Sequence, residues 1–170
     1  MAGVRPDVHI RRGGPQDVPR LEPLWLSVHH RHTEAMPELA PYVDDAATWA
    51  SRSALYAELL AKPDTVLLLA SVGEELVGYG LAHVMDAAGT WAADTWVTGP
   101  RIGEIESLAV LPAHRGRGLG TRLMDRLEEE LRLQGVTDLV IGVLAGNADA
   151  ARLYERRGYR PTWMYLSRFG

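Results

Sequence analysis

Between Glu104 and Leu123 the chain reads Glu-Ile-Glu-Ser-Leu-Ala-Val-Leu-Pro-Ala-His-Arg-Gly-Arg-Gly-Leu-Gly-Thr-Arg-Leu, and no other stretch constrains the fold as tightly. Its first half is a β pattern. Glycine then stands at every second position (Gly116, Gly118, Gly120), and a helix follows with Leu119, Leu123, Met124, Leu127 and Leu131 on one apolar stripe. A strand, a tight turn and a helix in that order place a row of free backbone N–H groups at a positive helix end, which is how an anion site is built. Arg115 and Arg117 add full charges beside those partial ones, while Glu104 and Glu106 sit on the strand just before.

The rest of the chain supplies a frame for this stretch. Val8 to Arg11 alternates as a strand and ends at Gly13-Gly14-Pro15, after which Val18, Leu21, Leu24, Trp25 and Val28 recur at helical spacing. Thr33 to Asp45, with its prolines, is expected as a loop, and Thr48 to Leu60 as a second helix. Thr65 to Ser71 and Leu76 to Val84 are expected as an antiparallel hairpin whose Gly78 and Gly80 mark a close backbone contact or a bulge. Asp86 to Gly99 is expected as a long loop or an irregular extension of that hairpin. The next strand runs from Arg101 to Val110, and beyond the glycine turn the helix carries Glu128 to Glu130 largely on its solvated face and ends at Gly135. Asp138 to Leu144 reads as a short, fully buried strand, Asn147 as the N-cap of a short helix closed by Gly158, and Tyr159 to Ser167 as one or two final strands.

At 170 residues the chain is expected to be one domain, spanning 1–170, with roughly 70% of its unfolded surface buried on folding. A net charge of −4 gives no electrostatic reason to expect nucleic acid or an anionic membrane as partner. Without cysteine there is no disulfide, no thiolate metal site and no cysteine nucleophile. With no apolar run long enough to cross a bilayer, a soluble cytoplasmic protein is expected. His29, His30 and His32 invite a metal reading, but neighbouring helical positions point in different directions and no His-Glu-x-x-His motif accompanies them, so no metal is expected.

Three nucleotide-binding explanations of the glycine turn fail on residues. A Walker loop needs Gly-Lys-Ser/Thr, and the chain's one lysine is Lys62; a dinucleotide fingerprint needs Gly-x-Gly-x-x-Gly, which alternating glycines do not give. A kinase loop would lie near the chain's start with a lysine after it. What Arg115-Gly116-Arg117-Gly118-Leu119-Gly120 resembles, with Leu108-Ala109-Val110 and Pro112 before it and Thr121 after, is the acetyl-CoA pyrophosphate loop of the GNAT acetyltransferase superfamily. A second block, Asn147 with Ala151, Tyr154 and Gly158-Tyr159, continues the resemblance, which covers Arg101 to Ser167.

The resemblance implies a mixed α/β (α+β) GNAT fold: a mostly antiparallel sheet of six to seven strands flanked by about four helices and splayed between the fourth and fifth strands. It implies acetyl-CoA as co-substrate, with its pyrophosphate on N–H groups from Gly116 to Thr121, aided by Arg115 and Arg122, and its pantetheine arm along the open edge at Leu108, Ala109 and Val110. Asn147 would bond that arm from the far side, a role compatible with capping a helix. For transfer to an amine the ammonium must lose a proton, and Glu106 matches the family's base, with Glu104 on the same face as the other candidate. Tyr154 matches the tyrosine that meets the departing thiolate, its alternative being a core aromatic. The Val110 N–H is the expected oxyanion donor.

The expected activity is acetyl transfer to a primary amine of a small molecule or peptide, by direct attack in a ternary complex. Transfer of another acyl group, or a non-catalytic acyl-CoA-binding module, are the competing readings. The acceptor is expected to meet the regions His29 to Tyr56 and Asp86 to Thr98, where Tyr42, Asp44, Asp45, Trp49, Trp91, Asp94 and Trp96 would suit a cation with an apolar body. Members of the family often dimerise, so a homodimer is compatible with the resemblance.

Overall fold

A sheet with an apolar core on each face organises the chain, whose structure, a computed structural model, describes residues 7–170. In order, the elements are β1 (Val8–Arg12), α1 (Glu22–Ala35), α2 (Asp45–Leu60), β2 (Val66–Val72), β3 (Glu75–Asp86), α3 (Trp91–Thr95), β4 (Arg101–Val110), α4 (Leu119–Leu133), β5 (Asp138–Ile141) and α5 (Ala148–Arg156), with a 3-10 turn leading into α1. The strands lie side by side in sequence order, antiparallel from β1 to β4 and parallel between β4 and β5.

The period of two in β2 and β3 divides their side chains between the cores. Val66, Leu68 and Ala70 join the core under α4, while Leu67 and Leu69, with Tyr79 and Leu81 of β3, join the core under α1 and α2. With both faces covered, β2 is a continuous apolar run rather than an alternating one. The expected stripe of α4 is the buried one, from Leu119 to Leu131. Gly80 is where α4 comes closest: a Cβ there would stand 2.6 Å from Leu127 Cδ1. This accounts for a glycine in mid-strand, as the close-contact reading requires.

The sheet has five strands, not six to seven. Tyr159 to Ser167 forms no strand: Pro161 lacks the N–H a ladder needs, and the apolar side chains beyond it, from Trp163 to Leu166, are exposed. β5 is shorter and only half-buried because it is an edge strand whose backbone leaves the sheet at Gly142. The stretch from Asp86 to Gly99 contains the short helix α3, capped by the Thr90 hydroxyl. Glu130, expected on the solvated face, is buried between Arg12 and Arg126, 3.1 Å and 3.2 Å away. Among the described residues no helix is long and apolar enough to cross a membrane.

One carboxylate holds the start of this frame. Asp17 is buried, and it accepts from Arg11 at 2.8 Å, from the Gly14 N–H at 3.1 Å and from Arg20 at 3.3 Å. The Arg11 hydrogen bond is the main reason its carboxyl sits below the usual carboxylate range. A lowered folded-state value means the stabilisation is fully present above the unfolded value of about 4 and is lost as pH falls through the folded one. Asp17→Asn is therefore expected to destabilise the protein by roughly 1–3 kcal/mol at pH 7. Denaturant titrations should find that difference shrinking as the pH falls below about 4.

Candidate active site

The site begins with a change of parity in β4. Opposite Leu81 stands Ser107, but opposite the next residue, Ala82, stands Ile105, so Glu106 is the extra residue of a β-bulge. Before it, Glu104 and Glu106 share the α2 face. After it, Ser107 and Ala109 take that face and Leu108 and Val110 take the α4 face. The bulge thus brings consecutive side chains, Glu106 and Ser107, to the same side.

The parallel ladder to β5 stops at Ile105, so β4 has an open edge from Glu106 onward. This is the expected splay between the fourth and fifth strands. The Leu111 N–H donates to Val77 O at 2.9 Å, across to β3; strand alternation then turns the N–H of Val110, and that of Leu108, toward the open edge. The cleft along that edge encloses about 960 Å³. It is lined by β4 from Ile105 to Val110, by the glycine turn and by Asn147 and Tyr154.

At one end of the cleft the turn delivers the N-terminus of α4. Gly116 and Gly118 have φ of +72° and +77°, which L side chains rarely adopt. The first N–H of α4 with a partner four residues back is that of Arg122, which donates to Gly118 O, so those of Leu119, Gly120 and Thr121 are free of the helical ladder. Arg115 lines this end, its Nε donating to Val110 O at 2.8 Å and its Nη2 to Ser27 Oγ at 3.0 Å. Partial desolvation, and then the charge of Arg31, lower its guanidinium from its usual range. Arg117 does not line the cleft, and Arg122 is engaged by Val8 O at 3.1 Å, so among the arginines expected near the phosphates Arg115 is the one on the cleft wall.

Asn147 caps α5, its side-chain oxygen accepting from the Ala150 N–H at 3.4 Å, and it also lines the cleft. Tyr154 projects from α5 with its ring edge-on to Tyr159 at 6.1 Å; burial pushes its hydroxyl up to about 12. Both readings of each residue are thus compatible with its position.

At the other end Glu106 reaches the cleft and Glu104 does not. Arg52 Nη1 of α2 donates to Glu106 Oε1 at 2.6 Å, and its guanidinium lies over the Trp25 ring, 3.9 Å from the centroid. His83, paired with Glu104 across the ladder, places Nε2 3.1 Å from Glu104 Oε2 and 3.9 Å from Glu106 Oε2. These three residues could hold a metal ion, since their ligand atoms lie within 4.8 Å of one another, although Arg52 already balances one carboxylate. Behind Glu106, Tyr56 Oη bonds both Ser107 Oγ at 2.6 Å and Tyr79 Oη at 2.7 Å, tying the bulge to the core. His32 also lines the cleft, its imidazole held below the usual histidine range by burial first, then by the charges of His29 and Arg52.

The residues expected around the acceptor lie elsewhere. Asp44 caps α2, Asp45 pairs with His30 at 2.9 Å, and Tyr42 bonds Met36 O; none of these, nor Trp49, Trp91, Asp94 or Trp96, lines the cleft. The cleft wall here is formed by Trp25 and by His32 and Arg52, which fall within the region His29 to Tyr56 expected to meet the acceptor but were not singled out for it: each sits on a helix where an isolated aromatic or cation reads as packing or a solvated face.

A strand edge opened by a bulge and running into a free helix N-terminus is the arrangement that the resemblance in the sequence implies. The chain belongs to the acetyltransferase (GNAT) family, whose model matches residues 25–159. It is 30% identical over 126 residues to an IAA acetyltransferase of Azospirillum brasilense, covering 74% of each chain. A mycothiol acetyltransferase of Beutenbergia cavernae is 41% identical over 78 residues, 45% of this chain and 26% of that one. Among solved structures, a predicted acetyltransferase with acetyl-CoA from Clostridium acetobutylicum superposes with a TM-score of 0.73 at 18% identity, covering 95% of this chain and 96% of that one.

Proposed function

We propose that the chain transfers an acetyl group from acetyl-CoA to a primary amine by direct attack within a ternary complex. The observation that carries this reading is the open edge of β4, which runs without a break from Glu106 to a glycine turn with free N–H groups. The pyrophosphate would lie on the N–H groups of Leu119, Gly120 and Thr121 beside Arg115, and the amide-bearing arm would pair with Leu108 and Val110 as an added strand. Asn147 would close on the arm from the far wall.

Glu106 is the base in this reading, because an alkylammonium with a pKa near 10 must shed a proton before it can attack. Position favours it over Glu104. His83 lies between the two carboxylates and offers the proton a way out toward Glu104. Attack forms the new C–N bond and places negative charge on the former carbonyl oxygen, which the Val110 N–H would stabilise. Collapse breaks the C–S bond and releases the thiolate toward Tyr154, while the nitrogen, cationic after attack, gives its second proton to water and is left as the neutral amide.

With its hydroxyl pushed up to about 12 by burial, Tyr154 stays protonated at neutral pH and is a weaker acid than the thiol it would have to protonate. A strong hydrogen bond is the role that fits. Tyr154→Phe is accordingly expected to lower kcat about 10- to 100-fold, the worth of one charge-assisted bond, while the KM for acetyl-CoA moves less than about threefold. Steady-state kinetics check this.

Initial velocities with acetyl-CoA and an amine both varied test the reaction order. Intersecting double-reciprocal lines are expected for direct attack; parallel lines would point to an acetylated enzyme and remove the reading.

A further inference from the structure

Resting on the amine-transfer reading, we propose that the acceptor is a zwitterion, an amine with a carboxylate on the adjacent carbon, as in a free α-amino acid. The Arg52–Glu106 pair is half-buried, with 24% and 19% of the side chains exposed, and both partners line the cleft at the end away from the glycine turn. A fixed ion pair at a cleft wall presents one positive and one negative edge. Its complement is a ligand with the opposite order of charges one carbon apart.

The donor count supports this. Arg52 spends Nη1 on Glu106, and among the described residues its Nη2 and Nε groups take no hydrogen bond. Stacking on the Trp25 ring, itself fixed by its Nε1–H donating to Thr48 Oγ1 at 3.1 Å, holds the guanidinium in one orientation, so the unspent side of the fork is already placed to receive a carboxylate. Ser107, brought beside Glu106 by the bulge, turns its hydroxyl back to Tyr56 and the core, which fixes the backbone under this wall. The amine then meets Glu106 and the carboxylate meets the unspent side of the Arg52 fork. A simple amine would leave those guanidinium N–H groups unpaired as it displaced their water.

The test compares three series with one side chain each: leucine, methionine and phenylalanine; their α-amides; and the corresponding decarboxylated amines. The amides lower the amine's pKa and so raise the free-amine fraction at pH 7.5, which works against the expected preference. The decarboxylated amines are more basic than the amino acids by up to about one unit, so all rates are compared per free amine. For the free acids kcat/KM should exceed that of both partners by about 30-fold, the value of a charge-assisted contact of about 2 kcal/mol. Arg52→Lys keeps the charge and loses the fork, and it should cut that preference at least about fivefold while the Kd for acetyl-CoA stays within about twofold. Equal turnover of acids, amides and amines, or a preference for amides, overturns the zwitterion while leaving acetyl transfer to amines intact. Thiol release with other amines but with none of the three series overturns it as well. Thiol release with no amine at all removes the amine-transfer reading itself.

Discussion

Glu106→Gln is expected to lower kcat by about two to four orders of magnitude, the range general-base groups contribute, with the Kd for acetyl-CoA within about threefold of the parent. The amide keeps the size of the carboxylate and still accepts a hydrogen bond from Arg52, so the fold and the cofactor end of the cleft should persist. What it loses is the ability to take a proton. In the parent the rate climbs with pH only until the base is ionised and then levels; in the variant it should rise with unit slope toward the amine's own pKa near 10, because only the fraction already deprotonated in solution can react. Glu104→Gln is the comparison. Its carboxylate lies off the cleft and touches the reaction only through His83, so a loss of less than about tenfold is expected. If the two variants exchanged these phenotypes, Glu104 would be the base.

Gly118→Val should raise the KM for acetyl-CoA by at least about 100-fold. A β-branched residue at φ of +77° carries a penalty above the roughly 1–2 kcal/mol that any L side chain meets in the left-handed region. The turn relieves that strain by moving, and the start of α4 moves with it. Misaligning even two charge-assisted hydrogen bonds from N–H groups to a pyrophosphate costs about 3–6 kcal/mol. Gly120→Ala is the control for position. A Cβ at Gly120 meets Leu153 Cδ2 at 3.8 Å, an ordinary contact, so the protein itself tolerates the methyl. An increase in KM for acetyl-CoA with unchanged thermal stability in Gly120→Ala would report the ligand's own approach to this backbone.

Most of the frame was legible because it depends on local pattern. The stripe from Leu119 to Leu131, the hairpin of β2 and β3, and the caps at Asn147, Gly135 and Gly158 follow from spacing and from residues with special backbone freedom. The glycine turn was legible as an anion site, and a second block of residues gave it a narrower meaning. The acceptor end was legible as a region, His29 to Tyr56, but not by residue. Arg52 comes to Glu106 from 54 positions away, and Trp25 reaches Arg52 from another helix; nothing local marks either. Acidic and aromatic residues that looked suited to the role proved to be a helix cap in Asp44 and a surface pair in Asp45. The bulge at Glu106 was also invisible by position, because strict alternation puts Ser107 on the opposite face. The final strands failed for the converse reason: Thr162 to Leu166 has β-favouring residues, but a strand exists only where a ladder partner meets it.

The most direct measurement is the amine-dependent release of free thiol from acetyl-CoA by the purified protein, followed over many turnovers with the acetylated amine quantified by mass. Thiol and N-acetyl product should appear in equal amounts, in large excess over enzyme, and both should fall together in Glu106→Gln. Thiol release that is absent with every amine, or that proceeds without N-acetyl product, would contradict acetyl transfer at this cleft.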